Sequence, residues 1–190
     1  MRYVTKRYAF LILLAVFSIN SAAQDPRSTE AGDAAVTSTF GAAIGTYIKE
    51  RKELTAKMPH LSTEATAEQI ATHKATLVTS IRRLRKAAKK GDIFTPEASA
   101  MFGRIVKANY SPAERAEIKA ENAQADVKGV KLAVNSMYPE GREKIEMPPR
   151  LLLALPQLPD ELSYHFVGKS LVLLDKESGL IIDLMLNALP

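Results

Sequence analysis

Apolar residues recur every three or four positions along much of the first two thirds of the chain, which is the spacing of amphipathic helices. Two helix starts carry a capping box, at Thr66 and at Ser111, and Thr95 followed by a proline marks another start. We therefore predict four helices, at about 34–57, 66–90, 95–109 and 111–126, with Gly91 closing the second.

The helices are expected to pack through their apolar faces. In the second helix one stripe should face the core, formed by Ile70, Leu77, Ile81, Leu84 and Ala88. In the first helix Gly41 and Gly45 lie four residues apart, and we expect them to allow a close crossing with another helix.

The spacing changes to that of strands at Val127. Alternation of apolar and polar residues predicts a strand at 130–137, and three further apolar runs predict strands at 162–167, 170–175 and 180–186. The connectors are short enough for hairpins, and Gly168 followed by Lys169 fits a type II′ turn. Between prolines, Leu151–Leu155 is expected to form an extended connector or a short helical turn.

These patterns predict an α+β fold in which about four helices are followed by a small antiparallel β meander. We expect one domain over 34–190, with its helical part at 34–126 and its β part at 127–190.

The N-terminus has the features of a secretory signal peptide. Three cations precede an apolar run of 11 residues interrupted only by Ser18, and small residues lead up to Ala23. A membrane anchor is the alternative, but 11 helical residues span only about 16 Å, roughly half the hydrocarbon core. We predict a signal peptide at 1–23, cleavage near Ala23, a flexible leader at 24–33 and no transmembrane segment in the exported chain.

Two segments carry a resemblance, GDIFTPE at Gly91–Glu97 and the Pro-punctuated ending at Leu155–Asp183. They resemble a group of predicted exported bacterial proteins of unknown function, over roughly residues 66–190. The resemblance implies a bacterial, exported protein with a helical first half and a β ending. It implies no activity, ligand or catalytic residue.

The composition excludes several kinds of site. The 190 residues include no Cys, which rules out disulfides, thiolate zinc sites, iron–sulfur clusters and cysteine nucleophiles. There is no phosphate-binding glycine motif, no serine nucleophile motif and no paired-histidine metal motif, so we expect neither a cofactor nor a metal. The remaining candidates for catalysis are His73, His165 and acid pairs such as Asp160/Glu161 and Asp175/Glu177. The two acids of each pair are neighbours in a predicted loop, so we expect them to be solvated.

Charge is distributed unevenly along the chain. The formal charge of +5 falls to +2 if the three cations of the predicted signal peptide are removed. Residues 24–90 hold 12 cations and 7 acids, whereas residues 91–190 hold 11 and 14. Six cations cluster with no acid between Glu68 and Asp92, namely Arg82, Arg83, Arg85, Lys86, Lys89 and Lys90.

This cluster has two interpretations. It can be a solvated helix end whose cations complement the helix dipole, or it can bind an anionic surface or an envelope protein. Nucleic acid is not expected as a partner, because no aromatic residue lies within the cluster and the chain is predicted to be exported. We therefore expect a non-catalytic binding or accessory protein of the periplasm or cell envelope. The alternative is a small hydrolase that uses histidine and carboxylate residues.

Overall fold

Helices form the first part of the chain and strands the last in the computed structural model, which describes residues 26–124, 132–138 and 147–189. The helices are α1 (Pro26–Thr55), α2 (Ala67–Leu84), α3 (Pro96–Asn109), α4 (Pro112–Gln124) and α5 (Pro149–Ala154). The strands are β1 (Leu162–Val167), β2 (Ser170–Asp175) and β3 (Ile181–Met185). The predicted α+β class is confirmed, with five helices instead of about four, because the segment between the prolines is helical.

Three of the four predicted helix starts are confirmed by side chains that cap them. Thr66 accepts a hydrogen bond from the N–H of Gln69, whose side chain accepts one from the N–H of Thr66. The same reciprocal pair joins Ser111 to Glu114 at the start of α4. Thr95 caps α3 by accepting from the N–H of Ala98. Each cap pairs a backbone donor that a helix start otherwise leaves without a partner.

The first helix begins earlier than the pattern indicated. Residues 26–33 belong to α1, so the expected leader at 24–33 is helical over the part that the structure describes. A proline at the start of a helix costs no hydrogen bond, and an ion pair between Asp33 and Arg104 of α3 holds this end of α1. The predicted signal peptide lies outside the described residues.

The expected close crossing at Gly41 and Gly45 is wrong. Both glycines are exposed, and a Cβ atom at either position would meet nothing within 4 Å. The opposite face of α1 contacts the core through Phe40, Ile44 and Tyr47 instead. Within the described residues, no helix is both long and apolar enough to span a membrane.

The second helix is shorter than predicted. It ends at Leu84 instead of near Lys90, because Arg85 leaves the helical conformation and its carbonyl accepts a hydrogen bond from the Asn135 side chain. Only the middle of the expected stripe is buried, at Leu77 and Ile81. Ile70 and Leu84 are exposed, by 49% and 40%, and Ala88 is half-buried but lies beyond the end of α2.

The sheet has the predicted meander order, β1-β2-β3, with both pairs antiparallel. Gly168 has a positive φ and Lys169 does not, as a type II′ turn requires. One face of the sheet packs on the helices, and the other contacts a smaller apolar cluster that contains Tyr138. Because both faces are covered, β2 and β3 are almost continuously apolar.

The strand predicted at 130–137 is not formed by the part of it that the structure describes. Residues 132–138 run beside β3 and make one isolated bridge, from Met137 to Leu180. Asn135 has a φ of 63°, and the hydroxyl of Ser136 donates to the carbonyl of Ala133, so the chain turns there. The alternation of apolar and polar residues does not by itself reveal a turn that asparagine and serine side chains stabilise.

Candidate functional site

The six clustered cations lie at one corner of the fold, where α2 ends and the chain turns toward α3. Arg82 and Arg83 occupy the last turn of α2, and the other four follow within six residues. We call residues 82–90 the cationic turn. Its position next to Asn135 and β3 separates the six side chains into two groups.

Arg85 is directed inward and contacts the sheet. Its Nη2 donates to the carbonyl of Ile182 at 2.7 Å and its Nε to Oδ1 of Asn135 at 3.3 Å. Its guanidinium also lies over the ring of Tyr47. Burial lowers the pKa of Arg85, although nearby Tyr47 and Asp183 oppose this shift. Arg85 is therefore a structural residue, and it is not available to an external anion.

The carbonyl of Ile182 can accept this bond because the β2–β3 pairing is irregular at that point. Leu174 pairs with Ile181 and Leu173 with Asp183, so Ile182 lies between two paired residues. Such a bulge leaves one residue out of the hydrogen-bond ladder.

The other five cations of the cationic turn are exposed. Arg82 donates from Nε to the carbonyl of Asn135 at 3.0 Å. Within the described residues, the side chains of the other four make no hydrogen bond or ion pair, namely Arg83, Lys86, Lys89 and Lys90. The acids nearest to them are Asp92, whose carboxylate accepts a hydrogen bond from the backbone N–H of Lys89 at 2.7 Å, and Glu50 and Glu53, which line a cleft with Arg83.

A buried carboxylate holds the chain immediately after the cationic turn. Asp183 is completely buried, and its two oxygens accept hydrogen bonds from the N–H groups of Gly91, Ile93, Phe94 and Leu184, at 2.8–2.9 Å. Four backbone donors compensate for the burial of one negative charge. The two segments that carry the sequence resemblance, 91–97 and 155–183, meet at this contact.

A second buried carboxylate joins β2 to α1. Asp175 accepts hydrogen bonds from Nε of Arg51 at 2.6 Å and from the hydroxyl of Tyr47 at 2.8 Å. Arg51 also donates to Glu177 at 2.7 Å. Burial opposes the charged form of Asp175, but hydrogen bonds from Arg51, the Ser178 N–H and Tyr47 outweigh it, so the pKa of Asp175 is lowered. The expectation that Asp175 is solvated is wrong.

Sequence reasoning missed Arg51, Tyr47 and Asp183 as site residues. One signal was present, since Arg51 follows Tyr47 by four residues and shares the apolar face of α1. An arginine at a core position requires a buried acid, but the sequence does not show which acid meets it.

The structure brings one histidine candidate, His73, next to one carboxylate candidate, Glu177. His73 Nε2 lies 3.8 Å from Glu177, whose carboxylate already binds Arg51. This pair borders a cleft of about 340 Å³ that His60 also lines. No group of three potential metal ligands occurs within the described ranges.

The third histidine lines a separate cleft beside β1. His165 Nε2 and the hydroxyl of Ser163 are 2.9 Å apart in a cleft of about 670 Å³ whose other walls include Met147, Leu152 and Leu158. The ring of His165 is also 6.0 Å from that of Tyr138.

No known protein family, curated protein sequence or solved structure matches the chain. The sequence resemblance to exported bacterial proteins therefore stays a prediction.

Proposed function

We propose that this chain is an exported binding protein that docks onto an anionic surface or an acidic envelope partner through its cationic turn. The supporting observation is the set of exposed cations at Arg83, Lys86, Lys89 and Lys90, whose side chains make no ion pair within the described residues. Arg82 adds a fifth positive charge beside them. The proposed role is binding without catalysis.

The anchoring of the cationic turn favours binding. Arg85 attaches its beginning to β3, and Asp183 attaches the residues that follow it. A segment held at both ends has less backbone entropy to lose when a partner binds. A solvated helix end needs cations only to complement the helix dipole, and that effect falls off beyond the last helical turn. Lys86, Lys89 and Lys90 lie beyond the end of α2.

Retention on a dextran sulfate column tests the proposal. The test variant is R83Q/K86Q/K89Q/K90Q, and the matched control is K49Q/K74Q/K107Q/K169Q, which removes four exposed lysines elsewhere. Both variants lose the same net charge. We expect the test variant to elute at clearly lower salt than the control, because clustered charges act together while scattered ones are screened beyond about 8 Å at physiological salt.

Equal elution of the two variants would contradict the proposal and favour the solvated helix end. Denaturation curves of both variants should match that of the parent protein, because exposed substitutions away from buried networks change stability by about 0.5 kcal/mol or less.

A further inference from the structure

We propose that the cleft beside Arg51 and Glu177 binds a free amino acid with an apolar side chain. The cleft has a volume of about 340 Å³, and His60 and His73 also border it. None of the residues 82–90, all of which the structure describes, borders it, so this inference goes beyond the proposed function and does not rest on it. A free amino acid carries one carboxylate and one ammonium group, and the cleft offers a charged partner for each.

Arg51 contributes a donor that no described group uses. The residue is only 5% exposed, and its Nε donates to Asp175 while its Nη2 donates to Glu177. Nη1 has no hydrogen-bond partner within the described residues and retains contact with solvent. A carboxylate is the preferred acceptor for such a group, because a charge-assisted hydrogen bond gains strength where little water is present.

Glu177 contributes an acceptor oxygen at the same cleft. Its Oε2 accepts the hydrogen bond from Arg51, and its Oε1 lies 3.8 Å from Nε2 of His73, which is too long for a hydrogen bond. The Glu177 side chain is 51% exposed, so Oε1 is open to a ligand. An ammonium group is a suitable partner, since it brings three donors and a positive charge.

One small molecule can contact both groups. Nη2 of Arg51 and Oε2 of Glu177 are only 2.7 Å apart, so the Nη1 and Oε1 atoms of the same two groups are close neighbours. The ammonium and carboxylate groups of an amino acid are attached to a single carbon atom, which matches this closeness. Met58, Pro59 and Leu61 border the cleft and provide apolar walls for the side chain of the ligand.

The charges around the cleft favour a zwitterion over a simple anion. Arg51 faces two carboxylates, Asp175 and Glu177, so it has no excess positive charge to offer. Lys52, which also borders the cleft, lies 3.6 Å from Glu161. A ligand with only a carboxylate would add a negative charge next to Glu177, whereas an amino acid places its ammonium group there.

Titration of the purified protein with leucine tests the proposal, and the NMR signals of the His73 ring and of the amides of residues 58, 60 and 61 report binding. Two analogues each lack one charged group, because leucinamide has no carboxylate and 4-methylpentanoate has no ammonium group. The test variant is E177Q, and the matched control is E117Q, which removes an exposed acid of α4. Arg51 is kept in all variants, because it also pairs with the buried Asp175.

We expect leucine to bind the parent protein about tenfold more tightly than either analogue, because each lost hydrogen bond involves a charged group. E177Q should weaken the binding of leucine and leucinamide by about tenfold, but it should not weaken the binding of 4-methylpentanoate. E117Q should bind all three compounds as the parent does. L61S should reduce the preference for leucine over alanine, since part of the apolar wall is lost.

Equal affinities of the parent protein for leucine and the two analogues would overturn the proposal, since an apolar contact alone would explain them. Equal effects of E177Q and E117Q would also overturn it, as would cleft signals that millimolar leucine leaves unchanged. If E177Q proves less stable than the parent in urea, the comparison of the three compounds on the parent protein decides.

Discussion

The guanidinium of Arg85 lies over the ring of Tyr47, with its central carbon 5.1 Å from the ring centroid. The hydroxyl of the same tyrosine donates to Asp175, which also pairs with Arg51. Tyr47 therefore links the buried ion pair of α1 and β2 to the residue that anchors the cationic turn. The position of the exposed cations depends on this internal polar network.

Removal of the Arg85 side chain should destabilise the fold. R85M keeps much of the apolar volume but leaves the carbonyl of Ile182 and the side chain of Asn135 without their donors. We expect a loss of about 2 kcal/mol in the free energy of unfolding, measured by urea denaturation. R85K should recover only part of it, because lysine lacks the planar fork of donors.

Arg83 provides the matched comparison, since it is exposed and makes no side-chain hydrogen bond in the described part of the chain. R83M should change the free energy of unfolding by about 0.5 kcal/mol or less. Similar losses for R85M and R83M would contradict a structural role for Arg85.

Asp183 should control the stability of the segment after the cationic turn. In D183N one carboxylate oxygen becomes an amide group, so some of the N–H groups of Gly91, Ile93, Phe94 and Leu184 lose their acceptor. We expect about 2–3 kcal/mol of destabilisation from buried donors left unpaired. Hydrogen exchange should accelerate at these amides. Unchanged protection of Ile93 and Phe94 would show that the carboxylate does not hold the segment.

Local signals in the sequence were sufficient for most of the secondary structure. Thr66, Thr95 and Ser111 identify helix starts because each cap acts within four residues. The hairpin at Gly168 is predictable for the same reason. The end of α2 was not predictable, because Asn135, fifty residues away, binds the carbonyl of Arg85.

The candidate site was predictable only as a cluster of cations. Sequence spacing could not show that Arg85 points inward, because its partners Asn135 and Ile182 come from distant parts of the chain. The burial of Asp175 was hidden in the same way, since Arg51 lies 124 residues earlier. Interactions of this range arise from the tertiary fold, and periodicity carries no information about them.

Export should remove the N-terminal segment. A basic start, a short apolar run and small residues before Gln24 favour cleavage after Ala23. We expect the chain expressed in a bacterial host to be recovered outside the cytoplasm with Gln24 as its first residue, as determined by intact mass and N-terminal sequencing. Replacement of Ala23 by Arg should block processing. Recovery of the released chain with Met1 intact would contradict the signal peptide.

The Arg51–Asp175 pair should show strong energetic coupling. Both side chains are almost fully buried, at 5% and 0% exposure. R51M leaves Asp175 without its charged partner, and we expect a loss of about 3–5 kcal/mol. R51M/D175N should lose less than the sum of the two single variants, because the uncompensated charge is gone. Additive losses would show that the pair does not interact. K49M, at an exposed position of α1, is the control for lost charge.

The lowered pKa of Asp175 predicts how stability depends on pH. In the unfolded chain this carboxyl takes up a proton near its ordinary pKa of about 3.9, whereas in the folded protein it stays charged to lower pH. Its contribution to stability is therefore complete above about pH 5 and decreases as the pH falls through the ordinary value toward the folded one. We expect the difference in unfolding free energy between the parent and D175N to be constant from neutral pH to about pH 5 and to shrink below it.

Urea denaturation over a pH series measures this difference, and the carbon chemical shift of the Asp175 carboxyl gives its titration directly. A difference that stays constant below pH 4, or a titration midpoint at or above the ordinary value, would show that Arg51 and Tyr47 do not stabilise the charged form.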